Sequence, residues 1–106
     1  MGYSYGIKVC RETLLYLASD QSLEERLVHA HSEMNVVTSE DVSKHHFREI
    51  KEWEVKYFSI RDFAVNSSGE LVEIDKIKEY RDLIVSLIWL CVEIIEHNSR
   101  NSKKSY

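Results

Sequence analysis

The stretch LIVSLIWLCVEII, residues 83–95, is apolar except for Ser86 and Glu93, and charged residues bound it on both sides. A helix that crosses a bilayer needs about 20 apolar residues. The run is therefore too short to span a membrane, and we expect no membrane partner. Two interpretations remain, namely a helix at the centre of the core and a helix that meets a second chain. A third interpretation is a peripheral membrane or membrane-complex subunit that docks through this helix.

The helical wheel around this run separates its apolar residues into three groups. The centre of the arc holds Ile77, Ile84, Ile88, Cys91 and Ile95, with Tyr80, Leu83, Leu87, Leu90 and Ile94 on one side and Val85, Trp89 and Val92 on the other. This arc exceeds the stripe of about 100° that a surface helix needs. Because exposed apolar patches mark interaction sites and symmetric dimers are the commonest assembly, we predict a homodimer interface at Val85, Trp89 and Val92.

The composition points to helices throughout the chain. It has 106 residues, no proline and only three glycines, whereas β-rich folds need many Gly and Pro turns. The length fits one domain. We predict an all-α single-domain bundle of four main helices, over residues 1–97, followed by a polar and weakly basic tail over residues 98–106.

Local signals place the four helices. The first is predicted over residues 5–18 with Ser4 as its cap, and the second begins at Leu23 because Ser22 and Glu25 have capping-box spacing. The third begins after Ser39 or Ser43 and fades near Arg61. An irregular loop over residues 64–75 then leads to a fourth helix over residues 76–97, capped by Asp75.

Charge and cysteine content limit the classes of function. The net charge is −4 and the basic residues of the tail are few, so no nucleic-acid partner is expected. Cys10 and Cys91 are far apart in sequence and fall on apolar faces, which is typical of buried free thiols. The first fifteen residues lack the basic start and the long apolar segment of a signal peptide. We therefore predict a cytoplasmic protein.

Three histidines stand four residues from a glutamate. The pairs are Glu25 with His29, His45 with Glu49, and Glu93 with His97. Di-iron bundles use a spacing of three with further inward-facing glutamates. We interpret the pairs as solvated helix contacts, and we predict no metal site and no cofactor.

Arg26 and His31 supply the only pattern that suggests an enzyme. Four residues separate them, which is similar to the Arg-x4-6-His element of HEPN-type ribonucleases, a family of small helical dimers. Here Leu27 follows the arginine where that family usually has a polar residue, and the element lies in the second helix rather than a late one. The resemblance would give Arg26 and His31 catalytic roles.

A wider resemblance covers about a third of the chain. Its pattern is Leu-Ala-Ser, then Ser-Leu-x-Glu-Arg-Leu, then Glu-Asp, which corresponds here to Leu17, Ala18, Ser19, Ser22, Leu23, Glu25, Arg26, Leu27, Glu40 and Asp41. It resembles a loose group of small uncharacterised bacterial helical proteins. Val42 and Ser43 stand where that group often has a proline. The resemblance implies a bacterial or phage-related cytoplasmic protein and no particular activity.

These observations favour a non-enzymatic protein-interaction or regulatory module that acts as a homodimer, with a further protein partner left open. No catalytic residue is assigned in this interpretation. The alternative is a small HEPN-like ribonuclease that uses Arg26 and His31.

Overall fold

The computed structural model describes residues 2–66 and 71–102, with side chains at residues 2–61 and 77–101. Its helices, in chain order, are α1 (Tyr3–Leu17), α2 (Leu23–Met34), α3 (Lys44–Asn66) and α4 (Leu71–Ser102). The described residues contain no strand. The predicted all-α bundle of four main helices is therefore confirmed.

Helix α4 is the axis of the molecule. Its 32 residues span about 48 Å at the usual helical rise, close to the 56 Å length of a molecule that is only 25 Å by 17 Å across. It contacts each of the other three helices, while α1 also contacts α2. The residues that α4 buries are Tyr80, Leu83, Ile84, Leu87, Leu90, Cys91, Ile94 and Asn98. One broad side of the predicted apolar arc therefore forms the core.

A hydrogen bond from an indole group of α3 joins α3 to α4. Trp53 is buried, and its Nε1 donates a hydrogen bond of 2.9 Å to the Leu83 carbonyl oxygen. Its ring stacks on Tyr57 at 5.5 Å between centroids. A buried indole N–H needs such an acceptor, so this contact fixes the position of α3 along α4.

The predicted start of α2 is confirmed, as is one of the two caps proposed for α3. The Ser22 side chain accepts a hydrogen bond from the Glu25 N–H, and Asn35 is the C-cap of α2. At α3 the Ser43 hydroxyl accepts from the His46 N–H at 3.1 Å. Ser43 rather than Ser39 is therefore the cap.

Four predicted helix boundaries are wrong, namely the start of α1, the end of α3 and both ends of α4. Helix α1 begins at Tyr3 with Gly2 as its N-cap, so Ser4 lies inside the helix. Helix α3 continues to Asn66 and α4 starts at Leu71, so Asp75 lies within α4 and most of the predicted loop is helical. Acidic residues are favoured in the first turns of a helix as well as at its cap, so Asp75 alone does not mark where α4 starts. The rest of that loop, residues 67–70, lies outside the described residues.

The end of the bundle also differs from the expectation. Helix α4 reaches Ser102, five residues beyond the predicted end at 97. Asn98, placed in the tail by the sequence, is fully buried. Residues 103–106 of the predicted tail lie outside the described residues.

Asp41 and Asn98 join three segments at one end of the bundle. Asp41 accepts hydrogen bonds from the Gly2 N–H at 2.9 Å and from the Thr38 N–H at 2.8 Å. The Asn98 amide donates to the carbonyl oxygens of Asp41 and Tyr3, at 2.8 and 3.2 Å. Since Asp41 satisfies an orphan donor at the start of α1, it acts as a cap from 39 residues away.

Candidate functional site

The first candidate is the side of α4 that points away from the core. Val85 and Trp89 lie two residues before and after the fully buried Leu87, about 160° from it around the helix. Their exposed fractions are 53% and 64%, and that of Ile77 is 46%. Val92 is half-buried. We call Ile77, Val85, Trp89 and Val92 the outer face of α4.

Charged residues stand at the two ends of this outer face. Lys78 and Arg81 are exposed near its start, and Glu96 is exposed near its end. Within its own helix Glu96 lies 3.4 Å from Arg100, and both side chains are exposed. The outer face is therefore apolar in the middle and carries charged side chains at both ends, with Arg81 near its start and Glu96 near its end.

A groove lies between α3 and α4, and the exposed acidic residues Glu79 and Asp82 of α4 line part of it. It encloses about 480 Å³, and its walls include Val55, Ile60 and Leu83 with Glu79 and Asp82. Val55 is 67% exposed. Its open form and mixed lining fit a shallow surface groove rather than an enclosed ligand pocket.

The second candidate is a cluster of three histidines and two glutamates. His45, His46 and Glu49 come from the start of α3, and Glu93 and His97 come from α4. His46 Nε2 lies 3.9 Å from Glu93 Oε2, and His45 Nε2 lies 2.6 Å from Glu49 Oε1. The His46 and His97 rings meet edge to face at 5.3 Å. We call these five residues the histidine–glutamate cluster.

His46 is the buried centre of this cluster. It is 6% exposed, and its Nδ1 is buried with no hydrogen-bond partner among the described residues. Burial, followed by the nearby His97, lowers the pKa of His46 and outweighs the opposite effects of Glu49 and Glu93. The imidazole is therefore neutral at pH 7.

Two pairs of this cluster are visible in the sequence, but the cluster itself is not. His45 with Glu49 and Glu93 with His97 were interpreted as separate solvated contacts. The structure places both pairs around His46, because the start of α3 lies beside the last third of α4. Only the pairing of α3 with α4 brings them together, and spacing along the chain does not show it.

The residues of the ribonuclease alternative have separate partners. Arg26 Nε donates to the Gln21 carbonyl oxygen at 2.8 Å, which supports the turn before α2. His31 Nε2 lies 2.9 Å from Glu54 Oε2, and its ring packs against Tyr57 and Phe58. Both side chains thus join segments of the fold, and no observation in the described residues favours a shared catalytic role.

The two thiols meet in the core. Cys10 and Cys91 are both fully buried and free. The hydrogen bond with Cys10, followed by burial, raises the pKa of the Cys91 thiol above its ordinary value. Since the thiolate is the reactive form, these cysteines are core residues in this geometry.

None of the described helices combines the length and apolar character that a bilayer crossing requires. No family model, curated protein or solved structure matches this chain.

Proposed function

We propose that this protein is a non-enzymatic interaction module that works as a homodimer, with the outer face of α4 as its subunit interface. The observation that carries the proposal is the 64% exposure of Trp89 beside Val85 on the longest helix. The indole of Trp89 and the side chain of Val85 are apolar, so their removal from water on association is favourable. Contiguous apolar surface of this kind marks interaction sites.

The charges at its ends favour a second copy of this chain as the occupant. A two-fold axis between residues 88 and 89 sets Val85 opposite the partner's Val92 and Ile88 opposite the partner's Trp89. The same axis sets Arg81 opposite the partner's Glu96. A symmetric interface requires this reciprocal pairing, and flanking charges select the orientation of paired helices. An antiparallel pairing of the two α4 helices satisfies both conditions.

The other exposed surfaces then remain free for a further partner. The groove lined by Val55, Glu79 and Asp82 opens between α3 and α4 rather than on the Val85 and Val92 side of the outer face. Two free buried thiols are consistent with a reducing compartment, and we propose the bacterial cytoplasm as the location.

Sedimentation equilibrium of matched variants tests the interface. Val85→Glu places a charge on the outer face and is expected to raise the dimer dissociation constant by about 100-fold, since an unpaired charge in an apolar interface costs several kcal/mol. Val28→Glu is the control, because Val28 of α2 is 49% exposed and Val85 is 53% exposed. Equal dissociation constants for the two variants would contradict the proposed interface.

A further inference from the structure

We propose that the histidine–glutamate cluster binds a divalent transition metal of the Zn²⁺ class, with His46, Glu49 and Glu93 as its ligands. One ligand atom from each of these three side chains lies within 4.8 Å of the other two. One imidazole and two carboxylates form a donor set that suits Zn²⁺. The site would join the start of α3 to the last third of α4.

The ligand atoms are close enough for small side-chain movements to complete the site. Around tetrahedral Zn²⁺ with bonds of about 2.1 Å, neighbouring ligand atoms stand about 3.4 Å apart. His46 Nε2 and Glu93 Oε2 are already 3.9 Å apart. Because the Glu93 side chain is 54% exposed and that of Glu49 is 35% exposed, both can change rotamer while His46 stays fixed.

The burial of His46 is a second and independent observation. Its ring is 6% exposed, and Nε2 is the ring nitrogen that lies near the Glu93 carboxylate. The imidazole is held beside His97, so its orientation is set before the metal arrives.

The surroundings of the three ligands supply further donors and access. His45 Nε2 lies 2.6 Å from the Glu49 carboxylate and is exposed, so it can orient that carboxylate from outside, as second ligand shells do. The exposed position of Glu93 gives the ion a path from solvent. Three protein ligands leave at least one coordination position for water.

Metal titration of the tag-free, metal-depleted full chain tests the proposal. Isothermal titration with Zn²⁺ is expected to saturate at one ion per chain, and Co²⁺ is expected to give visible d–d absorption. Glu49→Gln and Glu93→Gln should each weaken Zn²⁺ binding by about tenfold or more. Glu52→Gln and Glu79→Gln are the matched controls, since they change exposed glutamates on the same two helices.

The Zn²⁺ affinities of the wild-type chain and its variants decide the proposal. Loss of affinity in the two cluster variants with unchanged controls supports the site. The proposal is overturned if the wild-type chain binds no Zn²⁺, or if cluster and control variants bind it equally. His46→Gln changes a buried residue and can impair folding, so the two exposed or half-exposed glutamates carry the test.

Discussion

At the scale of single residues, Gly6 shows how closely α1 approaches its neighbours. A Cβ atom at this position would overlap the Asp41 carbonyl oxygen and lie 2.8 Å from Asn98 Nδ2. Both obstacles are part of a buried hydrogen bond, in which Asn98 donates to Asp41. Gly6 is therefore required by space and not by an unusual backbone conformation.

Gly6→Ala is expected to destabilise the protein by about 2 kcal/mol through overpacking. The direction of the change in unfolding free energy is informative, because Gly→Ala at an open helical position stabilises by up to about 1 kcal/mol. Urea unfolding of the variant checks it, with Ser4→Ala at an exposed position of α1 as the control. A stability equal to or above wild type would show that α1 does not pack this closely.

Asp41 provides a pH-dependent contribution to stability. Burial raises its pKa, but the hydrogen bonds from Thr38 and Gly2 outweigh burial, so the pKa of Asp41 in the folded protein is lowered. A lowered carboxyl pKa stabilises the fold above the unfolded value of about 3.9. That contribution is lost as the pH falls through the lower folded value.

Asp41→Asn should therefore cost about 1–3 kcal/mol at neutral pH, since an amide NH₂ would face one of the N–H donors. The difference from wild type should shrink between pH 7 and pH 3, because below about pH 3.9 the carboxyl of the unfolded chain takes up its proton before that of the folded chain does. Denaturant unfolding of both proteins at the two pH values measures it. A difference that stays constant with pH would mean that the charge of Asp41 does not contribute.

At the scale of helices, local sequence signals were sufficient where the cap is local. Ser22, Glu25 and Ser43 lie within a few residues of the groups that they bond, so the start of α2 could be predicted and one of the two proposed caps of α3 was correct. The start of α1 could not, because its cap comes from Asp41 on a distant loop. Spacing within one helix carries no information on such a partner.

The two candidate sites differ in how much of each could be predicted from the sequence. The periodicity of α4 showed that its apolar arc is too broad for one core face, and it singled out Val85 and Trp89 as members of the second side. Whether that second side is exposed depends on where α1 and α3 pack, which periodicity within one helix does not show. The histidine–glutamate cluster combines residues of α3 and α4, and was missed for this reason.

The packing of α3 on α4 depends on Trp53. Trp53→Phe removes the hydrogen bond to the Leu83 carbonyl oxygen and leaves a small cavity, and should cost about 2 kcal/mol. Ser86→Ala removes the second hydrogen bond to the same oxygen, 3.0 Å long, but at an exposed position it should cost less than about 0.5 kcal/mol. Thermal unfolding compares the two. Equal losses would contradict the role given to Trp53.

At the scale of the whole molecule, the charges at the ends of the outer face determine the predicted orientation of the dimer. In the antiparallel pairing, Arg81 meets the partner's Glu96 twice because of the two-fold symmetry. Arg81→Glu should therefore raise the dissociation constant by about tenfold at low salt, since exposed ion pairs contribute less than about 1 kcal/mol each. The double variant Arg81→Glu with Glu96→Arg should recover most of the affinity in sedimentation equilibrium. A double variant weaker than the single one would exclude this orientation.

In the proposed dimer the outer face of α4 joins two copies of this chain. Its most direct test is the molar mass in solution, measured by light scattering after size exclusion without detergent. The expected mass is that of two chains for the wild-type protein and that of one folded chain for Trp89→Glu. A wild-type protein that stays monomeric at high concentration, or a Trp89→Glu variant that remains dimeric, would contradict it.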